Sequence, residues 1–258
     1  MGDHTTMLNW KSRLRAAGIH LGISLAVAVL AAILVFGLWY PYPYREISGG
    51  RELFLIVVAV DVVLGPLITL SIFNLAKPLK ELRRDLVVVA LIQLAGLGYG
   101  LWTVSLARPA HLVFELDRFR VVHVVDIPVD LMDRVPPGVD AMPLGGPTLL
   151  AVRPFKDDKE KFEATMLALK GLALSARPDL WQAYEASRPA VLKAGKPIAN
   201  LKLRHPSRAA EIDQALLDLR RTPDTTLWVP MIARKLFWTV LIDSTTAEVV
   251  GFLPVDSF

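Results

Sequence analysis

Three long apolar runs, over residues 19–40, 53–75 and 86–106, constrain this chain more than any other feature. An α-helix rises 1.5 Å per residue, so ~20 apolar residues cross the ~30 Å hydrocarbon core of a bilayer. The first run is broken only by His20 and Ser24 near its start, and Lys11, Arg13 and Arg15 precede it. A cleavable secretion signal has a shorter apolar core, ~7–15 residues, followed by a small-residue cleavage site. Here the run leads instead into Trp39-Tyr40-Pro41-Tyr42-Pro43-Tyr44. That composition suits an aromatic exit onto a membrane interface, so the reading is an uncleaved anchor with Trp39, Tyr40, Tyr42 and Tyr44 as interfacial residues. Three spans are too few for a many-helix transporter, and a chain that is 53% apolar with such runs is not wholly soluble.

Charge then sets direction. Residues 1–108 hold 10 Lys/Arg against 6 Asp/Glu, and residues 109–258 hold 19 against 19, so the whole excess of +4 lies in the membrane half. Basic residues there fix topology rather than bind nucleic acid. The short loop over 77–85 carries Lys77, Lys80, Arg83 and Arg84, against Arg45, Arg51 and Arg108 on the other side. With Lys/Arg retained inside, residues 1–18 form a cytoplasmic N-terminal segment and 19–106 a three-helix transmembrane domain. Residues 107–258 then lie outside the cytoplasm, which in a diderm bacterium means a periplasmic domain of a multi-pass inner-membrane protein. Cysteine is absent, which excludes disulfides, thiolate metal sites and a Cys nucleophile.

The exported part reads as strands, then helices, then strands. A hairpin is expected over 111–127 with its turn at Asp117-Arg118, then a proline-rich loop over 128–147. Helices follow over 157–175, 178–194 and 207–220, and a second hairpin over 235–253 turns at Asp243-Ser244-Thr245-Thr246. This order predicts an integral membrane protein with three transmembrane α-helices followed by a periplasmic α+β domain whose sheet is mainly antiparallel.

Few residues suggest chemistry. Asp61 sits eight residues into the second run, ~12 Å deep at the helical rise, where an isolated carboxylate is expensive and should face other helices. Tyr99 and Thr103 are its expected neighbours at that depth. One reading is helix packing through them; the other is contact with a client. Gly65-Pro66 removes a backbone hydrogen bond and allows a kink, and Gly96 and Gly100 form a small-xxx-small pair for close helix approach. His111 and Glu115 lie ~13 Å apart if both are on one strand, and His123 and Asp126 should point to opposite faces, so no metal ligand set forms. The sequence has no G-x-S-x-G elbow, H-E-x-x-H, phosphate loop or dinucleotide fingerprint. No catalytic, cofactor or metal residues are assigned, and the expected protein is not an enzyme.

Several motifs together resemble a known family. Phe36-Gly37-Leu38-Trp39-Tyr40-Pro41-Tyr42-Pro43-Tyr44 is followed by Ile47-Ser48-Gly49-Gly50-Arg51-Glu52-Leu53, then Val60-Asp61-Val62-Val63-Leu64-Gly65-Pro66-Leu67 and Lys80-Glu81-Leu82-Arg83-Arg84-Asp85-Leu86. With Phe114-Glu115-Leu116-Asp117-Arg118-Phe119, this pattern resembles the type IV pilin accessory proteins of the TfpX/TfpZ kind. The resemblance implies a chaperone-like inner-membrane factor for pilin stability, assembly or surface display. Its implied partners are a type IV major pilin, through membrane helix and head domain, and the pilus assembly machinery. No site residues carry over. A different class, a membrane-tethered periplasmic sensor of small ligands, stands as the alternative.

Overall fold

The computed structural model describes residues 3–258, with side chains from residue 10 onward, and divides into two compact units. One holds the chain up to Leu38 together with Gly50–Leu106; the other holds Trp39–Gly49 and Ala107–Phe258. Of the expected N-terminal segment, residues 1 and 2 lie outside the described residues. From Asp3 onward the segment is helical and continuous with the first span.

In the first unit, helix 1 runs over Asp3–Ala32 and continues as a π-helix over Ile33–Trp39. Helix 2 is α-helical over Gly50–Ala59, π-helical over Val60–Leu64 and α-helical again over Gly65–Ile72. Helix 3 covers Leu79–Leu106. Three stretches, Trp10–Trp39, Gly50–Ile72 and Leu79–Leu106, are long and apolar enough to cross a membrane. Helices 1 and 3 each pack along helix 2. The unit turns apolar side chains such as Leu30, Ile56 and Ile92 outward and buries Ser24 and Thr69, as expected where lipid is the solvent.

The second unit is built on one sheet: β1 (Pro109–Glu115), β2 (Arg118–His123), β3 (Thr148–Val152), β4 (Trp181–Ala183), β5 (Lys196–Pro197), β6 (Thr226–Ile232), β7 (Phe237–Asp243) and β8 (Val249–Leu253). The order is β4-β3-β1-β2-β6-β7-β8, with β5 beside β6. Among the described residues only β1/β3 and β2/β6 pair in parallel, so the sheet is mostly antiparallel. Its core includes Phe119, Val240 and Ile242, and into it the segment Trp39–Gly49 contributes Tyr44 and Ile47.

Local details depart from the sequence reading for physical reasons. The first hairpin turns at Leu116-Asp117, one residue early, because Glu115 pairs with Arg118 in the ladder. Asp157 caps the first helix by accepting from the Glu160 N–H at 2.7 Å. That helix ends at Leu169 rather than 175, with Gly171 at φ +98° just beyond. Its expected apolar face is not the buried one: Phe162 is 64% exposed, and Ala164 is buried instead. Residues 178–194 do not form one helix. Trp181–Ala183 pairs with β3 as a strand, and only Arg188–Ala194 is α-helical, begun by Pro189, which has no N–H to continue a longer helix. β6 escapes sequence detection because Pro230 interrupts its apolar run. Pro230 is tolerated because it falls between the stretches of β6 that β5 and β2 cover, where no ladder donor is needed.

Candidate functional site

The sequence places a proline at 66, and helix 2 responds by widening into π geometry just before it. In that register the carbonyl of Asp61 would accept from the N–H of residue 66, which proline lacks. Helix 3 supplies the missing donor: Gln93 Nε2 donates to the Asp61 carbonyl oxygen at 3.4 Å. Gly65 makes this approach possible, since a Cβ there would stand 2.0 Å from Gln93 Nε2 and 3.1 Å from His20 Nε2. One turn further on, His20 Nδ1 lies 2.5 Å from the hydroxyl of buried Thr69, tying helix 1 to helix 2. Three helices thus bring polar groups to one level inside the unit, the usual way in which polar side chains are accommodated in lipid.

Above this level the helices leave a groove. A cavity of about 240 Å³ is walled by Ser24 and Val27 of helix 1 and by Gln93 and Leu97 of helix 3, with Val58 and Asp61 of helix 2 at its floor. Asp61 lines it, and its carboxylate receives no hydrogen bond from the described residues. A second cavity, of about 540 Å³, shares His20, Ile23 and Ala90 with the first and extends towards Arg15. The pair describes a long apolar trough with one acid and one histidine along it.

Tyr99 and Thr103 are not the partners of Asp61. Tyr99 is 69% exposed and its ring lies beside Trp102, and the Thr103 hydroxyl bonds back to the Tyr99 carbonyl at 3.0 Å. Helix 2 starts at Gly50, so Asp61 lies further along the helix than its position in the apolar run suggests, opposite Gln93. Gly100 is at a close approach, where a Cβ would meet Val57 at 2.6 Å, whereas Gly96 has nothing within 4 Å. His20 and Gln93 were missed as site residues, although a polar residue inside an apolar run was the signal available.

The aromatic segment is also placed differently. Tyr40 and Tyr44 are buried in the sheet unit, with the Tyr44 ring 6.1 Å from that of Phe252; only Tyr42 is largely exposed, and Trp39 is half-buried. An aromatic, proline-stiffened stretch reads alike as an interfacial belt or as a core strap, and here two of its rings fill a core. Of the topology residues, Lys77 pairs with Asp85 at 2.7 Å, while Lys80, Arg83 and Arg84 are exposed. His123 and Asp126, expected on opposite faces, meet at 3.0 Å because β2 ends at His123 and a 3₁₀ turn follows. No group of three or more His, Asp or Glu fit to hold a metal occurs among the described residues.

Three membrane-length helices with an attached α+β sheet unit define a multi-pass membrane protein. The family model of the fimbrial assembly protein FimB matches residues 8–49. The chain is 35% identical to the "Fimbrial assembly protein, serogroup I" of Dichelobacter nodosus over 247 residues, 95% of each chain. It is 33% identical to the serogroup E1 protein of the same organism over 246 residues, with the same coverage. The protein of serogroups C1 and C2 matches at 43% over 122 residues, 47% of this chain and 91% of that one. No solved structure matches the chain. The chain belongs to the fimbrial assembly protein family.

Proposed function

We propose that the protein is a non-enzymatic accessory factor of fimbrial assembly that shelters the membrane helix of a type IV pilin in the groove between its first and third helices. The observation that carries this reading is the 35% identity to a fimbrial assembly protein over 95% of both chains. The groove supports its finer part. In lipid, helices associate through close packing and a few polar contacts, and a helix laid in this trough would cover Val27 and Leu97 and meet Asp61. An acid lining the trough suits a cationic client group such as a chain's amino terminus. The Lys/Arg bias supports a cytoplasmic N-terminus in the inner membrane, with the sheet unit in the periplasm, where it would meet the pilin head and the assembly machinery.

Asp61→Asn tests the client contact. Polar contacts between membrane helices are worth ~1 kcal/mol, so about fivefold less pilin should co-purify from membranes holding normal amounts of the variant. Undiminished pilin capture removes Asp61 from the client site. A reporter enzyme fused after Phe258 tests direction, and activity confined to the cell interior would remove the meeting with an exported pilin head.

A further inference from the structure

β2 runs beside β6 for two residues only, Phe119 opposite Met231 and Arg120 opposite Ile232. β6 then turns away, the Ala233 N–H donating to the Leu236 carbonyl. The edge of β2 over residues 121–123 faces no strand there, and a cavity of about 260 Å³ occupies the notch, closed on its far side by residues 171–173. Backbone groups alternate in direction along a strand, so either Val121 or Val122 turns its N–H and C=O into this gap.

Four polar side chains border the notch: Arg120, His123, Asp126 and Arg234. His123 is 1% exposed. Its Nδ1 lies 3.0 Å from a carboxylate oxygen of Asp126, which accepts, so the neutral ring carries its hydrogen on Nδ1 and a lone pair on Nε2. That Nε2 is buried without a hydrogen-bond partner among the described residues. A buried acceptor lacking a donor is unfavourable, and it marks a place where a donor from outside belongs. Burial alone would raise the Asp126 pKa, but hydrogen bonds from the His123 ring and backbone, with the charge of Arg234, hold it below the usual carboxylate range.

The charges are balanced. Arg234 Nη2 donates to Asp126 at 3.0 Å and Arg120 Nε to Glu115 at 2.7 Å. Each guanidinium has five N–H donors and uses one in these bonds. Two cations already paired with two carboxylates can share a monoanion through their remaining donors, but they offer no surplus charge to a polyanion. The lone pair on His123 Nε2 would also repel a bare anion. A matching ligand therefore brings an N–H donor next to its carboxylate.

We propose that this notch binds an α-carboxylate flanked by an N–H donor, the chemistry shared by the carboxyl end of a peptide and a free amino acid. Arg120 and Arg234 take the carboxylate, and His123 Nε2 accepts the hydrogen. The β2 edge left without a partner strand over residues 121–123 favours the peptide end, because an extended chain can pair with it. The site is independent of the groove in the helical unit.

The test is a titration of the full chain, in detergent and with ¹⁵N-labelled histidine, using acetyl-Ala-Ala with a free carboxyl end, the same peptide amidated, and alanine. The free acid should shift the His123 Nε2 resonance, and the amide should bind about tenfold more weakly. Arg234→Gln, at a side chain 38% exposed and so compatible with folding, should weaken the acid by a similar factor. Alanine binding as well as the peptide acid would assign a free amino acid, and weaker binding would assign a chain end. Equal binding of acid and amide, or an unmoved Nε2 signal, overturns the proposal.

Discussion

In the three-helix unit Leu30, Ile56 and Ile92 are each about two-thirds exposed, while Thr69 is 2% exposed; in the sheet unit Trp181, Trp228 and Phe119 are buried and most charges lie outside. The same side-chain preferences are at work under opposite solvents. Water drives apolar surface inward. Lipid does not, and there helices are held by close backbone approach and polar ties such as His20 to Thr69 and Gln93 to Asp61. The two units should therefore fail in different ways, the sheet unit by losing buried apolar volume and the helical unit by losing closeness.

The largest expected effect attacks the sheet unit from the far end of the sequence. Ile47 is fully buried and Tyr44 nearly so, both in the core of a unit whose strands begin some sixty residues later. Large-to-small changes in a packed core cost ~2–5 kcal/mol. Ile47→Ala and Tyr44→Ala in the full chain should each lower the stability of the sheet unit by about 3 kcal/mol, read as a shift of the denaturant midpoint of its near-ultraviolet circular dichroism. Ile56→Ala, at a 65% exposed position in helix 2, should leave stability almost unchanged. An Ile56→Ala loss as large as that of Ile47→Ala would break the contrast.

A second effect sharpens it through a buried polar group. His111 is fully buried; its Nε2 lies 3.1 Å from the Ala141 carbonyl, its Nδ1 lies 2.7 Å from the Thr148 hydroxyl, and its ring packs edge-on against Trp181. Burial lowers its pKa to about 4, against the opposing effects of the Ala141 bond and the Asp140 charge. Between that value and the ordinary ~6.5 the unfolded chain binds the proton and the folded chain does not. Stability from this group is thus complete above pH ~6.5 and is lost as pH falls towards 4, up to ~3 kcal/mol by linkage. Urea midpoints between pH 7 and 4 should fall for the parent chain and flatten in His111→Gln. An equally steep fall in the variant would assign the pH dependence elsewhere.

The sequence disclosed these two halves unevenly. Spanning helices show as runs because lipid demands one kind of residue on nearly every face. For the same reason the runs hide which face meets a neighbouring helix: neither Tyr99 nor Thr103 meets the Asp61 carboxylate, and helix 3 instead bonds the Asp61 backbone carbonyl through Gln93. In the sheet unit, alternation and turn residues marked β1, β2, β7 and β8. The strands that long-range pairing stabilises stayed hidden: β4 inside an apparently helical stretch, and β6 across Pro230. The sheet's debt to Tyr44 and Ile47 was equally invisible, since an aromatic stretch beside an apolar run has the composition of an interfacial belt. The notch beside β2 depends on where β6 leaves the sheet, which no local pattern encodes.

The smallest effect separates two glycines that look equivalent as letters. Gly96 and Gly100 are one turn apart on helix 3, yet a Cβ at Gly100 would lie 2.6 Å from Val57 and one at Gly96 would meet nothing within 4 Å. Gly100→Leu must push helices 2 and 3 apart, and overpacking of this kind costs ~1–3 kcal/mol. Thermal unfolding in detergent should therefore come earlier for Gly100→Leu and be unchanged for Gly96→Leu. Equal destabilisation by both would mean that the pair acts as one packing surface and that the helices close on each other further than the structure has them. A Gly96→Leu chain that is stable but displays no fimbriae would instead place Gly96 against a helix from another protein. That outcome would extend the client surface beyond the trough, onto a face of helix 3 where the chain's own packing requires no glycine.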